Sequence, residues 1–227
     1  MDRMQRVRVK ICGVMRSDDA AAACRCGADA IGMIFHPASP RNISIAKARE
    51  ILATVEPFTT PVGVFVDAQP REILDVCATL GLRTVQLNGQ QTPEDIADLR
   101  GLKVLRAVRV TRGGLTAQLD DWRRAIASRS LPHLVGLVME PGGTTRPGGT
   151  GVANDWDEVL SAQEAGAFVD LPPLIAAGGL RPETVADVVR RVQPYAVDVS
   201  SGVEQSLGEK SEALIRQFIE AARSAAR

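Results

Sequence analysis

One cysteine in this sequence is placed for proton-transfer chemistry. Cys12 ends a short apolar run, and Lys10 lies two positions before it, on the same face of a strand. A nearby ammonium lowers the pKa of a thiol and raises the fraction of thiolate, which is the form that acts as a base or a nucleophile. Packing is the ordinary role of a free cysteine, and we expect it for the cysteines in helical segments, Cys24, Cys26 and Cys77. Cys12 is therefore the candidate reactive thiol.

Polar side chains on three other apolar runs complete a candidate site. Side chains alternate between the two faces of a strand, and in each of these runs one face is apolar while the other ends in polar groups. These groups are Gln86, Asn88, Glu140, Asp198 and Ser200. In neighbouring parallel strands they would meet Cys12 at one edge, where a base and an acid could transfer protons. We take Cys12 and Glu140 as catalytic candidates and assign to substrate binding Lys10, Gln86, Asn88 and Asp198.

Two glycine-containing loops predict a phosphate site. Gly178 and Gly179 follow one apolar run and precede a helical segment, while Ser200, Ser201 and Gly202 follow the next run. Glycine lets backbone N–H groups approach an anion closely, and the N-terminus of a helix adds its dipole. We therefore expect these five residues to bind a phosphate group.

A third loop and one arginine extend the candidate site. Residues 141–151 are glycine-rich and directly follow Glu140, a composition and position that suit a lid. Arg41, in the sequence Ser39-Pro40-Arg41, could grip a carboxylate through its planar guanidinium. We assign Arg41 to substrate binding as well.

The elements that must position these groups alternate between two types. Short apolar, β-branched runs indicate strands, and the longer stretches between them have helix-forming composition. The predicted strands are residues 7–12, 30–35, 61–66, 84–87, 104–108, 134–139, 174–177 and 196–199. The predicted helices are residues 18–26, 45–54, 70–80, 92–99, 115–128, 155–165, 182–192 and 211–225. Expected caps are Ser17, Ser44 and Thr92 at helix starts, and Gly27, Gly81 and Gly166 at helix ends.

This order of elements predicts an α/β fold, a single-domain (β/α)8 TIM barrel over residues 1–227. Strand–helix alternation demands a parallel sheet. Eight units close most naturally into a barrel, whose usual length is about 250 residues, and an open, doubly wound sheet is the alternative. In a barrel the active site lies at the C-terminal ends of the strands, and the loops after strands seven and eight commonly bind phosphate. Both glycine loops occupy those positions.

Composition excludes several classes of function. Lys and Arg together number 27, as do Asp and Glu, so the formal net charge is zero and offers no broad positive field for nucleic acid or an acidic membrane. No apolar run approaches the roughly 20 residues of a membrane span, and charged residues interrupt the N-terminal segment where a signal peptide needs an apolar core. The four cysteines do not have the spacing of metal ligands. We expect a cytoplasmic protein without a metal site.

Seven motifs, in order along nearly the whole chain, resemble those of the phosphoribosylanthranilate isomerase family. They are Lys10-Ile11-Cys12-Gly13, Ser39-Pro40-Arg41, Gly63-Val64-Phe65-Val66, Val85-Gln86-Leu87-Asn88-Gly89, Gly148-Gly149-Thr150-Gly151 with Asp155-Trp156, Ala177-Gly178-Gly179-Leu180, and Val197-Asp198-Val199-Ser200-Ser201-Gly202-Val203-Glu204. Their joint occurrence at strand ends makes the resemblance specific.

The resemblance implies a (β/α)8 enzyme of tryptophan biosynthesis that needs no cofactor. Its reaction is an Amadori rearrangement, which converts an aminoaldose into an aminoketose on a phosphorylated small molecule. By resemblance, Cys12 is the general base that removes the proton from ribose C2, and the acid after strand six, here Glu140, protonates the furanose oxygen. Arg41 would hold the anthranilate carboxylate, and the loops after strands seven and eight the phosphate.

The sequence departs from the family pattern at three places. Glu140 replaces the usual aspartate, Asn88 replaces the histidine of a Gln-Leu-His-Gly motif, and Val152-Ala153-Asn154 replaces a stretch that commonly holds lysine and threonine. Two alternative functions therefore stay open, a diverged paralogue that isomerises another phosphorylated aminosugar and a catalytically silent phosphosugar-binding barrel. A monomer and a homodimer are both compatible with the sequence.

Overall fold

The computed structural model describes residues 6–142 and 151–226, and within them eight parallel strands close into a barrel in chain order. The barrel strands are β1 Arg8–Ile11, β2 Ala30–Ile34, β3 Thr60–Val66, β4 Thr84–Asn88, β5 Lys103–Val110, β6 Leu134–Pro141, β7 Leu174–Ala177 and β8 Ala196–Val199. The helices are α1 Ser17–Arg25, α2 Ile45–Leu52, α3 Pro70–Leu80, α4 Pro93–Ala97, α5 Leu115–Arg129, α6 Trp156–Glu164, α7 Pro182–Val192 and α8 Glu212–Ala225.

Pairing of the first and last strands confirms the predicted barrel and excludes the open sheet. β1 and β8 pair in parallel over four residues, with Lys10 opposite Asp198. The element boundaries differ modestly from the predicted ones, since β6 includes Glu140 and α4 already ends at Ala97. Cys12 lies just beyond β1, where its backbone N–H still donates to the Val199 carbonyl at 2.8 Å.

The predicted alternation of side chains divides the core into two layers. Val9 and Ile11 of β1 pack with the inner faces of the helices in the larger cluster. A smaller cluster fills the barrel interior and consists of Val138, Ile175, Ala177 and Ala196 with Leu105 packed against it. The inward polar residues at the ends of β4, β6 and β8 lie above this interior layer, at the C-terminal mouth.

Local sequence explains most of the helix boundaries. Ser44 caps α2 by accepting a hydrogen bond from the Lys47 N–H, and Thr92 with Asp95 forms a capping box at the start of α4. Gly81 ends α3 in the left-handed conformation that glycine adopts freely. The expectation for Ser17 was wrong, because α1 begins at Ser17 itself and Arg16 is the N-cap residue.

A short hairpin between β8 and α8 was not predicted. After the 3₁₀ turn Ser201–Val203, strands β9 Glu204–Ser206 and β10 Glu209–Lys210 pair antiparallel. The backbone N–H of Lys210 donates to the Asp19 carboxylate of α1 at 3.2 Å. This anchor places the two ends of the hairpin, Glu204 and Lys210, close to the barrel mouth.

Among the described residues, no helix is long and apolar enough to cross a membrane.

Candidate active site

The strand ends surround a cavity of about 800 Å³, solvent at its mouth included. This size and position suit a small-molecule site at the C-terminal face of a barrel. Ten of the twelve predicted site residues line it: Cys12, Gln86, Asn88, Glu140, Gly178, Gly179, Asp198, Ser200, Ser201 and Gly202. The other two, Lys10 and Arg41, lie behind its wall.

Cys12 is buried at the base of the cavity beside a glycine that makes room for it. A Cβ atom on Gly32 of β2 would lie 2.8 Å from the Cys12 Sγ and 3.3 Å from the Lys10 Cε. Burial raises the pKa of the Cys12 thiol, and the charge of Lys10 is the strongest effect that opposes the rise. The thiol is thus desolvated, with an ammonium placed to favour its charged form.

Lys10 and Asp198 form a buried ion pair across the junction of β1 and β8. Lys10 Nζ donates to Asp198 Oδ2 at 2.8 Å, and each side chain is 6% exposed. Burial alone would lower the pKa of Lys10, but the charges of Asp198 and Cys12 raise it above its ordinary value. Lys10 therefore acts on the site as a fixed positive charge, and Asp198 reaches the cavity with its other oxygen.

Glu140 is held by a chain of side-chain amides on β4. Gln86 Nε2 donates to Asn88 Oδ1 at 3.2 Å, and Asn88 Nδ2 donates to Glu140 Oε1 at 2.9 Å. Burial raises the pKa of Glu140, while the Asn88 hydrogen bond favours the charged form and opposes the rise. Glu140 is therefore a carboxyl group of fixed orientation that keeps its proton to higher pH than an exposed glutamate.

Three buried polar atoms of the cavity have no hydrogen-bond partner among the described residues. They are Gln86 Oε1, Asp198 Oδ1 and Ser200 Oγ. Nearly all buried polar groups in proteins are paired. Grouped around one cavity, these atoms are suited to bind the hydroxyl groups of a ligand.

The two predicted phosphate loops lie against each other in the wall of the cavity. Gly178 and Gly179 both have positive φ, and a Cβ on Gly179 would lie 2.6 Å from the Ala153 Cα. A Cβ on Gly202 would collide with the Leu180 carbonyl. These glycines are thus required by close backbone packing and by left-handed geometry. The first loop precedes α7 and the second continues into the 3₁₀ turn, so backbone N–H groups are concentrated there.

Arg41 is bound within the protein rather than exposed in the cavity. Its Nε and Nη2 donate to the two carboxylate oxygens of Glu204, each at 2.7 Å. The side chain is 6% exposed and lies over Gly13, next to Cys12. Its predicted contact with a substrate carboxylate stays a prediction.

Three charged residues near the site were missed at the sequence level. Arg109 lies opposite Glu140 in the register of β5 and β6, and the alternation of β5 would have identified it as inward-facing. Glu204 and Lys210 belong to the unpredicted hairpin, and Lys210 has a fully buried side chain. Sequence alone gives no signal that a lysine in a two-residue strand is buried.

A second, more polar cleft adjoins the cavity at Asn88 and Glu140. Arg106 lines it and donates to the Leu87 and Gly89 carbonyls, at 3.0 and 2.6 Å, on either side of Asn88. Burial lowers the pKa of Arg106 to about 10. Arg106 therefore fixes the backbone that carries Asn88.

The end of the predicted lid is anchored, while residues 143–150 lie outside the described part of the chain. Asn154 donates to the carbonyls of Met139 and Ala177, at 2.9 and 3.1 Å, so it connects the ends of β6 and β7. Gly151 and Val152 line the cavity. One of the three departures from the family pattern therefore has a structural role.

In the described ranges, no group of His, Cys, Asp and Glu side chains could hold a metal ion.

Comparisons with known proteins match this geometry. Residues 9–221 match the family model described as N-(5'phosphoribosyl)anthranilate (PRA) isomerase. An N-(5'-phosphoribosyl)anthranilate isomerase from Pseudomonas paraeruginosa is 42% identical over 224 residues, which cover 99% of each chain. This chain belongs to that isomerase family.

Solved structures of the family share the fold over nearly the full length. The crystal structure of the Thermotoga maritima phosphoribosylanthranilate isomerase superposes with a TM-score of 0.79 at 35% identity, covering 96% of this chain and 99% of that one. A family structure in complex with reduced 1-(O-carboxyphenylamino)-1-deoxyribulose 5-phosphate has a TM-score of 0.77 at 35% identity, with the same coverage. The resemblance inferred from the seven motifs is thus confirmed.

Proposed function

We propose that this chain catalyses the Amadori rearrangement of N-(5-phosphoribosyl)anthranilate to 1-(2-carboxyphenylamino)-1-deoxyribulose 5-phosphate in tryptophan biosynthesis, with Cys12 as general base and Glu140 as general acid. One observation carries the assignment of roles. A desolvated thiol with an adjacent ammonium and a proton-retaining carboxyl group line the same cavity, together with two glycine loops suited to phosphate. Membership of the isomerase family supports the reaction itself.

Glu140 begins the reaction by opening the ring. Its carboxyl group gives a proton to the furanose oxygen, the bond from that oxygen to C1 breaks, and the nitrogen lone pair forms a C1–N double bond. The raised pKa keeps this proton available, and the hydrogen bond from Asn88 fixes the carboxyl group. A positioned acid of this kind contributes about 10²- to 10⁴-fold.

Cys12 then removes the proton from C2. The electron pair of that C–H bond forms a C1–C2 double bond, and the electrons of the C1–N double bond return to nitrogen. The resulting enolamine gains a proton at C1 and loses the C2 hydroxyl proton, which gives the ketone. Substrate and product are isomers, and the protons exchanged at Cys12 and Glu140 balance through solvent.

Binding at both ends of the substrate aligns it for these two transfers. The loops at Gly178–Gly179 and Ser200–Gly202 hold the phosphate, Gln86 and Asp198 accept from ribose hydroxyls, and Arg41 holds the anthranilate carboxylate. Fixing the reacting groups in this way lowers the activation free energy, by about 7–11 kcal/mol in well-aligned reactions. The cytoplasmic location and the oligomeric state, monomer or homodimer, stay predictions.

Complementation of a tryptophan auxotroph that lacks this isomerase tests the function. We expect growth without tryptophan, and product formation by the purified chain from enzymatically generated substrate. No growth and no product, with inorganic phosphate still bound, would instead identify a silent phosphosugar-binding barrel.

A further inference from the structure

A buried cluster of three charged side chains lies behind the wall of the active cavity. One carboxylate, Glu204, accepts from two cations. Arg41 donates to it through Nε and Nη2, each at 2.7 Å, and Lys210 Nζ donates to Glu204 Oε1 at 3.0 Å. All three side chains are at most 6% exposed. Such a cluster is costly to desolvate, so its presence needs an explanation beyond stability.

The cluster contacts the two segments that carry the reactive thiol and a phosphate loop. The Arg41 stem lies over Gly13, where a Cβ would be 2.6 Å from Arg41 Cδ and 3.0 Å from Ser200 Oγ. Lys210 Nζ also donates to the Ser200 carbonyl at 2.9 Å. The cluster therefore connects the residue after Cys12 with the first residue of the loop after β8.

The charges around Cys12 do not balance while the thiol is neutral. The thiol interacts with Lys10 of β1, Asp198 of β8, Lys210 of β10 and Arg41 after β2. Together with Glu204, these groups comprise three cations and two carboxylates, which leaves one net positive charge. A thiolate at Cys12 would neutralise the set. Burial raises the pKa of Cys12, and Lys10 and Lys210 oppose that rise.

We propose that Glu204 and Lys210 are positioning residues that hold Arg41 and set the charge around Cys12, so that the thiol can ionise in a buried site. Glu204 keeps two cations beside the thiol without fully neutralising them. Lys210 supplies one of those cations and holds the Ser200 carbonyl in place. The catalytic meaning of this cluster rests on the proposed role of Cys12 as base.

Substitutions of opposite charge separate this account from simple structural support. Glu204→Gln removes the negative charge of the cluster but keeps an amide oxygen that can still accept from Arg41 Nε and Lys210 Nζ. The two cations then stay in place with less of their charge neutralised, so the Cys12 pKa should fall, whereas Lys210→Met removes a positive charge and should raise it. A merely structural role predicts damage in both variants, without opposite shifts. The matched control is Glu209→Gln, since Glu209 lies on the same hairpin but pairs with Arg16.

The experiment titrates the thiolate directly in the full chain without substrate. Ultraviolet absorbance is followed against pH for each variant, and the same variant carrying Cys12→Ser is subtracted, which isolates Cys12 from the other three cysteines. Far-ultraviolet circular dichroism verifies folding. We expect a downward shift for Glu204→Gln, an upward shift for Lys210→Met and none for Glu209→Gln.

Shifts in the same direction, or no shift in either cluster variant, would overturn the proposal. If Glu204→Gln does not fold, Lys210→Met and Arg41→Gln still test it, since both must raise the pKa. The titration needs no turnover. A parent chain without isomerase activity would therefore refute the proposed function, whereas the measured Cys12 pKa shifts would still decide whether the cluster sets the charge around the thiol.

Discussion

At the scale of residues, the site depends on two groups whose pKa values are shifted by burial in the same direction but whose tasks are opposite. In the proposed mechanism, Cys12 loses a proton as the base and Glu140 holds one as the acid. The thiol has Lys10 and Lys210 to favour its charged form, whereas Glu140 has the Asn88 hydrogen bond and the nearby Asp198 charge acting against each other. The environment therefore allows a thiolate base and a protonated acid in one cavity.

Glu140→Gln should lower turnover by about 10²- to 10⁴-fold, because an amide cannot give up the proton that opens the ring. Glu140→Asp keeps the acid but shortens the side chain away from Asn88, which donates to it at 2.9 Å. We expect the aspartate variant to stay within about tenfold of the parent. Steady-state kinetics of both variants decide this, and normal turnover of the glutamine variant would exclude Glu140 as the acid.

The pH dependence of kcat/KM should be bell-shaped with the groups in reversed order. The ordinary thiol pKa lies about four units above the ordinary carboxyl pKa, and burial raises both. The fraction of enzyme that has both a thiolate at Cys12 and a protonated Glu140 then increases with pH up to the Glu140 pKa. It is constant between the two pKa values and decreases above the Cys12 pKa. Asn88→Leu removes a hydrogen bond that favours the carboxylate, so it should move the rising limb to higher pH. A rising limb that does not move in this variant would contradict the assignment.

At the scale of elements, each strand contributes its last inward positions, and the neighbouring strand must leave room for them. Gly32 on β2 leaves this room for Cys12. Arg106 on β5 has a different role: it donates to the carbonyls on either side of Asn88 and so fixes the backbone that carries it. Strand alternation predicted the sets that contain Lys10, Asn88 and Asp198, because it depends only on local geometry.

Gly32→Ala tests how closely β2 controls the thiol. The added methyl group would lie 2.8 Å from Cys12 Sγ, so the sulfur must move. We expect turnover to fall by about 10- to 100-fold, since displacement of a reacting group by about 1 Å has this effect.

Gly136→Ala is the matched control for this substitution. Gly136 is also an inward strand glycine, and its added methyl group would lie 2.8 Å from Leu105 Cδ2, in the apolar interior below the site. Both variants carry a similar overpacking cost of about 1–3 kcal/mol. Equal turnover losses in the two variants would show that Gly32 acts only through stability.

Interactions between distant segments are where the sequence was insufficient. Arg41 and Glu204 are 163 positions apart; Arg41 lies in the loop after β2 and Glu204 begins the short strand β9, and no periodic pattern defines the path of either segment. The hairpin that carries Lys210 has strands of only three and two residues, too short for alternation to indicate. Arg109, by contrast, was accessible from the alternation of β5. The barrel strands and their inward residues were therefore predictable, whereas the ion pairs that involve the short hairpin were not.

At the scale of the whole molecule, the pairing of strands that closes the barrel also brings residues of the site together. The last strand pairs with the first, and the Lys10–Asp198 ion pair forms across that junction with both side chains buried. The predicted phosphate loop after β8 thereby lies beside Cys12, whose backbone N–H donates to the Val199 carbonyl at the end of β8. That residues 1–227 form one domain stays a prediction.

Lys10→Met should destabilise the chain by about 3–5 kcal/mol, because it leaves the Asp198 carboxylate buried without its cation. The double variant Lys10→Met with Asp198→Leu replaces the pair by apolar groups and should recover much of that loss. Urea unfolding of both variants measures these differences. A double variant as unstable as the sum of the two single substitutions would show that the residues do not act as a pair.

The central claim is that Cys12 is the base of an isomerase, and turnover of the Cys12→Ala variant tests it most directly. The purified parent chain and variant are compared with saturating N-(5-phosphoribosyl)anthranilate, after circular dichroism has shown equal folding. The account predicts an active parent and a loss of about 10²- to 10⁴-fold in kcat for the variant. Turnover of the variant within a factor of about two of the parent, far below the usual contribution of a positioned base, would contradict it.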